Sequence, residues 1–189
     1  MTVPNLITTI RIILAPIFII YLLDDRFLSA LIVFVLCGVS DGLDGLVARL
    51  FNQKSNLGAY LDPMADKILL VSAFIALSVL GPLPAWLTVT VIARDLLILL
   101  GVFVLFLNGR EFTVRPSILS KITTCLQFIL VMAVLAKDFL SFPSMFYPFF
   151  FYLTALSTII SGLHYMHYWF KMMGEGAMKI NGDNTLDNP

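Results

Sequence analysis

Cysteine, histidine and charge are all scarce in this chain, and each shortage removes a class of function. Two cysteines and two histidines in 189 residues leave the softer metals without a ligand set. Cys37 and Cys125 both fall inside apolar runs and are expected to be buried thiols. No Ser–His or Cys–His pair suggests a covalent intermediate. Charged residues make up only 13 %, and twelve basic side chains balance twelve acidic ones, so bulk charge offers no reason to expect a nucleic-acid partner.

What fills the chain instead is apolar. Fifty-nine percent of the residues are hydrophobic and the mean hydropathy is +0.94, values that point to an all-α integral membrane protein. A spanning helix needs about 20 apolar residues. Cutting the sequence at its Pro, Gly and charge clusters predicts six such helices, at 8–24, 27–51, 57–80, 85–108, 117–138 and 144–171. The connectors between them are short, so residues 1–171 read as one membrane domain, and the polar, Gly- and Asn-rich stretch 172–189 as a disordered tail. The first apolar run, "MTVPNLITTIRIILAPIFIIYLL", lacks a small-residue cleavage signature and is expected to stay as the first span.

Lysine and arginine placement predicts orientation. With the amino terminus in the cytosol, Arg11, Arg49, Lys54, Arg110, Arg115, Lys121, Lys171 and Lys179 fall on the cytosolic side, against Arg26 and Lys137 outside. The connector between spans two and three then faces the cytosol.

That connector lies within "DGLDGLVARLFNQKSNLGAYLDPMADK", residues 41–67. On helices, Asp41 and Asp44 share a face, as do Asp62 and Asp66, and the short connector brings the two ends together. Four carboxylates so placed would repel one another strongly, and burying unpartnered ions costs several kcal/mol each. A hard divalent cation, Mg²⁺, Mn²⁺ or Ca²⁺, resolves that, because carboxylate oxygens suit such ions. Gly45 and Ala48 leave a small-residue floor where a ligand can approach the backbone. Arg49 adds a planar fork suited to phosphate, and Ser55 a hydroxyl. Together these residues describe a cytosol-facing site for a metal-bound pyrophosphate.

Blander readings exist. The aspartates could form a pairing network with Arg49, Lys54 and Lys67, although pairing explains neither the glycines nor the spacing. A cation transporter or channel would carry carboxylates near mid-membrane on several helices, whereas these cluster at one end. Arg94 and Asp95 lie near mid-span, where charge is costly and is functional or paired. Arg110, Arg115 and Lys121 suit an anionic acceptor or lipid headgroups. His164 and His167, beside aromatics, suit an interfacial belt.

The pattern D-x2-D-G-x2-A-R-x8-G-x3-D-x3-D, from Asp41 through Asp44, Gly45, Ala48, Arg49, Gly58 and Asp62 to Asp66, resembles the signature of the CDP-alcohol phosphatidyltransferases without departure. "PNLITTIR" near the start and "LSKITTCLQ" at 119–127 are similar to further family segments, and the resemblance covers residues 3–171. It implies transfer of a phosphatidyl group from CDP-diacylglycerol to an alcohol, on a six-helix membrane domain that pairs into a homodimer. It further implies that Asp41, Asp44, Asp62 and Asp66 hold two divalent cations, Mg²⁺ or Mn²⁺. Asp66 would also be the base for the acceptor hydroxyl. Asn5, Thr8, Gly45, Ala48, Arg49, Ser55 and Gly58 would line the CDP-lipid site, and Arg94, Arg110, Arg115 and Lys121 the acceptor site. A bacterial cytoplasmic membrane is the expected location.

The shared motif does not choose the acceptor. The two flanking segments favour the glycerol-lipid branch of the family. Its members that use glycerol 3-phosphate carry a second arginine two turns beyond Arg94, where this chain has Val102. That departure resembles the cardiolipin synthases, whose acceptor is phosphatidylglycerol, while chains of this size and pattern are commonly phosphatidylglycerophosphate synthases. Both acceptors stay open.

Overall fold

Apolar runs of about 20 residues separated by Pro, Gly and charge become helices, because a helix satisfies its own backbone polar groups without water. A computed structural model describes residues 3–50, 58–107, 118–140, 143 and 145–183, with side-chain surroundings for 13–40, 67–101, 103, 104, 118–140, 143, 145–167 and 169. The described residues form six α-helices and no strand. They are α1 (Val3–Leu23), α2 (Phe27–Leu50), α3 (Gly58–Val79), α4 (Ala85–Leu107), α5 (Ile118–Leu135) and α6 (Phe146–Asp183).

Two boundaries differ from the sequence expectation. α1 starts at Val3, with Pro4 in its first turn, where a missing backbone N–H leaves no helical bond unmade. α6 runs unbroken to Asp183, so residues 172–183, expected to be a disordered tail, are helical here. No proline interrupts them, and Glu175, Ala177, Met178 and Lys179 are good helix formers.

The turns are built from local backbone chemistry. At the end of α1 the Arg26 amide donates to the Tyr21 carbonyl at 2.8 Å and the Asp25 amide to Leu22 at 3.1 Å. This is a Schellman cap with Asp25 left-handed at φ 57. Gly81, at φ 95, lets the chain reverse between α3 and α4, and the Leu83 amide closes that turn on the Leu77 carbonyl at 3.2 Å.

α1 packs on α2 and α3, α4 and α5 on α6, and thinner contacts of α2 with α5 and of α3 with α4 join the two groups. The core gathers Phe18, Phe34, Phe74, Leu77, Leu87 and Leu130, all fully buried. Phe34 stacks on Phe128 with centroids 4.4 Å apart, and Gly38 admits this ring so closely that a Cβ there would lie 2.2 Å from the Phe128 Cζ.

Outside this core the helices are apolar too. Leu28, Ile32, Leu36 and Val39 form one exposed stripe on α2, and Leu96, Leu99, Leu100 and Phe103 another on α4. Among the described residues, Ile118–Leu135 and Phe146–His167 are long and apolar enough to cross a membrane. The cysteines divide: Cys37 is buried as expected, but Cys125 is exposed on α5. A helix apolar on most sides gives no sequence signal of which face points in.

Candidate active site

Helix ends decide where the acidic residues sit. α2 carries Asp41, Asp44, Gly45, Ala48 and Arg49 within its last ten residues, and α3 carries Gly58, Asp62 and Asp66 within its first nine. The seven-residue connector limits the gap between these two helix ends to about 29 Å even when fully extended. Asn5 and Thr8 lie in the first turns of α1. The side chains of all these residues lie outside those described, and Ser55, Arg110 and Arg115 fall outside the described residues altogether.

The donor set itself can be judged. Four carboxylates on two consecutive helices offer only hard oxygen ligands, which fits a hard divalent cation and suits neither zinc nor copper. Among the side chains that are described, no three His, Cys, Asp or Glu converge.

Next to Asp66 the structure is explicit. Lys67 Nζ lies 2.7 Å from Asp95 Oδ1, linking α3 to α4. The same oxygen accepts from Arg94 Nη1, also at 2.7 Å. Arg94 Nη2 donates to Ser120 Oγ on α5 at 2.6 Å and to Ser161 Oγ on α6 at 2.8 Å. The Tyr165 ring lies under the guanidinium, 6.0 Å from its carbon, and the Arg94 stem passes beside Gly162 at an ordinary packing distance. One arginine, 4 % exposed, thereby meets groups on two other helices, and through Asp95 it shares a partner with a third. Its Nε has no hydrogen-bond partner among the described residues.

Of the four cations expected at the acceptor, Arg94 is therefore engaged with Asp95 and two serines, and Lys121 stands exposed in the first turn of α5. Sequence reasoning placed Arg94 and Asp95 at mid-span but missed Ser120, Ser161 and the Lys67 link. The available signal was a lysine on α3 at the same depth as Asp95: Lys67 lies twelve residues from one end of the Gly81 turn and Asp95 ten from the other.

Below this network the interface of α5 and α6 stays polar. Thr123 Oγ1 donates to the Leu119 carbonyl at 3.0 Å or to that of Ser157 at 3.1 Å, and Gln127 Nε2 donates to Thr158 Oγ1 at 3.2 Å. Interhelical bonds of this kind hold apolar helices together where lipid supplies no hydrophobic drive.

Comparison with known proteins places the chain among relatives of two names. It is 37 % identical over 184 residues to the cardiolipin synthase (CMP-forming) of Rattus norvegicus, covering 88 % of this chain and 61 % of the rat protein, so the chain spans less than two thirds of that relative's length. It is 34 % identical over 180 residues to the CDP-diacylglycerol–glycerol-3-phosphate 3-phosphatidyltransferase of Bacillus subtilis, covering 86 % of this chain and 92 % of the relative. A protein of that second name from Aquifex aeolicus is 38 % identical over 129 residues, 66 % of this chain and 70 % of its own. The family model described as CDP-alcohol phosphatidyltransferase matches residues 1–169, a stretch that takes in both acidic helix ends and the Arg94 network, and the chain belongs to that family.

Proposed function

We propose that this protein transfers the phosphatidyl group of CDP-diacylglycerol to a glycerol-type acceptor and releases CMP, in phospholipid biosynthesis. The observation that carries the reading is the placement of two acidic pairs at the facing ends of consecutive helices, Asp41 and Asp44 late in α2 and Asp62 and Asp66 early in α3, within a chain matched by the family along residues 1–169.

Helix register supports bringing the two pairs together. Lys67 meets Asp95 and the Phe74 carbonyl meets Thr88 at 3.2 Å, so α3 and α4 run antiparallel. Trp86 stacks on Tyr152 and Arg94 meets Ser161, so α4 and α6 run parallel. α5 opposes α6, and α2 meets α5 at Gly38 and Phe128. Counted through these contacts at about 1.5 Å per residue, Asp44 falls within about a turn of the level of Asp66.

Two divalent cations, Mg²⁺ or Mn²⁺, held by the four aspartates would neutralise the pyrophosphate and improve CMP as a leaving group. Asp66 takes the proton from the acceptor hydroxyl as that oxygen attacks the lipid-side phosphorus. Arg49 and Ser55 hold the phosphates and ribose side of the CDP group over the floor of Gly45, Ala48 and Gly58, with Asn5 and Thr8 beside them. The donor oxygen of CMP leaves in line, which inverts the phosphorus.

All six helices cross the membrane in this reading, with the site at the cytosolic face and the protein paired as a homodimer. The exposed apolar stripes on α2 and α4 support a lipid surround, since exposing them to water would forfeit their transfer energy. A bacterial cytoplasmic membrane is the setting we favour.

Phosphatidylglycerol is the acceptor favoured here. Glycerol 3-phosphate brings about two negative charges, yet Arg94 is already engaged with Asp95, Ser120 and Ser161, and position 102 is valine. Arg110, Arg115 and Lys121 remain for a singly charged phosphodiester. The glycerol 3-phosphate reading keeps support from the Bacillus subtilis relative, which matches this chain over nearly its whole length. Purified protein given labelled CDP-diacylglycerol with each acceptor in turn decides between them. EDTA should abolish CMP release with either, and activity unchanged after thorough chelation removes the metal reading.

A further inference from the structure

We infer that Lys67 and Asp95 are positioning residues: their ion pair fixes the turn of α3 that carries Asp66 against the Arg94 network of α4, α5 and α6. The inference rests on the transferase reading above for the role of Asp66, and on described contacts for everything else.

Lys67 is the residue that follows Asp66 on α3. Its Nζ reaches the same Asp95 Oδ1 that accepts from Arg94, both at 2.7 Å. Arg94 in turn holds Ser120 near the start of α5 and Ser161 on α6. The first turns of α3 are thus tethered, one residue past Asp66, to a buried knot fixed by three other helices. Few contacts otherwise bind α3 to α4; the other described polar link is Thr88 to the Phe74 carbonyl, two turns farther along.

The pair is unequal in burial. The Lys67 side chain is 43 % exposed and that of Asp95 is 11 % exposed. An ion pair open on one side adds little to stability, so its main effect is geometric. A base must lie within hydrogen-bond reach of the proton it removes, and a displacement of about 1 Å in such a site can cost on the order of a hundredfold in rate. Pinning Lys67 limits both the rotation and the axial slide of the turn that presents Asp66.

Lys67→Met is the informative variant, because Asp95 keeps Arg94 and no buried charge is orphaned. Lys67→Arg retains a cation able to reach Asp95, and Asp95→Asn keeps the Lys67 charge while weakening the tether. We expect Lys67→Met to lower kcat about tenfold or more, with the KM for CDP-diacylglycerol within about twofold of wild type. Lys67→Arg should restore kcat to within about threefold. Asp95→Asn, where it folds, should follow Lys67→Met.

Amide hydrogen exchange over residues 58–66 gives a readout independent of turnover. It should rise in Lys67→Met and return towards wild type in Lys67→Arg. Wild-type kcat in Lys67→Met, or exchange unchanged in that variant, overturns the inference. So does Lys67→Arg failing as badly as Lys67→Met, which would make the amine itself the functional group. A wild-type protein that transfers no phosphatidyl group would sink the transferase reading instead, and the exchange measurement would still decide whether the tether exists.

Discussion

Replacing Arg94 tests whether three helices depend on one guanidinium. The side chain is 4 % exposed, and its Nη atoms reach Asp95, Ser120 and Ser161 at 2.7, 2.6 and 2.8 Å. Each interhelical hydrogen bond in a membrane contributes on average about 0.6 kcal/mol, so the two serines account for about 1 kcal/mol. Breaking a buried ion pair from one side costs about 3–5 kcal/mol, but Lys67 remains on Asp95 and reduces that penalty. Arg94→Met should therefore destabilise the fold by about 3 kcal/mol. In a chain of this size that lowers the unfolding midpoint by about 6–12 °C. Arg94→Lys keeps a charge near Asp95 and loses the serines, so about 1 kcal/mol is expected. Thermal or SDS-titrated unfolding in micelles, followed by near-ultraviolet circular dichroism, reads both variants. If Arg94→Met unfolds within about 0.5 kcal/mol of wild type, a span consistent with an ordinary surface substitution, the network is not structural and Arg94 is free to serve an anionic ligand.

The remaining expectations are narrower. Gly38→Ala should cost about 1–3 kcal/mol, because its Cβ would meet a Phe128 ring already stacked on Phe34; Gly162→Ala, whose Cβ would sit an ordinary 3.6 Å from Arg94 Cγ, should stay within about 0.5 kcal/mol by the same unfolding assay. Asp66→Asn should lose turnover far more than nucleotide binding, while Arg49→Ala should chiefly raise the KM for CDP-diacylglycerol; near-normal turnover in Asp66→Asn would show that another group is the base. Val102→Arg should shift the ratio of product-formation rates towards glycerol 3-phosphate and away from phosphatidylglycerol, and an unchanged ratio means that position 102 does not read the acceptor.

Helix existence was legible because apolar length and breaker residues act locally. The stretch expected at 27–51 is the helix Phe27–Leu50, and that at 85–108 is Ala85–Leu107. The ends of α1 and α6 were missed for one reason: apolarity sets where lipid can surround a helix, whereas backbone hydrogen bonding sets where the helix stops. The acidic motif was legible as a spacing of residue types. The partners of Arg94 were not, since Ser120 and Ser161 are ordinary serines until helix rotation and depth bring them to the guanidinium. Cys125 shows the same limit, because nothing local distinguishes an inward from an outward thiol on an apolar helix.

The Lys67 contact also bears on the four aspartates. A purely structural account of Asp41, Asp44, Asp62 and Asp66 would neutralise them with the cations nearest in sequence, Arg49, Lys54 and Lys67. Lys67 is already on Asp95 at 2.7 Å, and Asp95 is shared with Arg94. Two cations are then left for four carboxylates, a deficit of two charges at a helix end of reduced dielectric, where an uncompensated ion costs several kcal/mol. In the proposed reading a bound divalent cation would close that deficit with the oxygen ligands the motif supplies. The fixed ion pair beside the motif thus supports the metal from the opposite direction: three cations for four carboxylates already fall one short, and engaging Lys67 elsewhere doubles the shortfall.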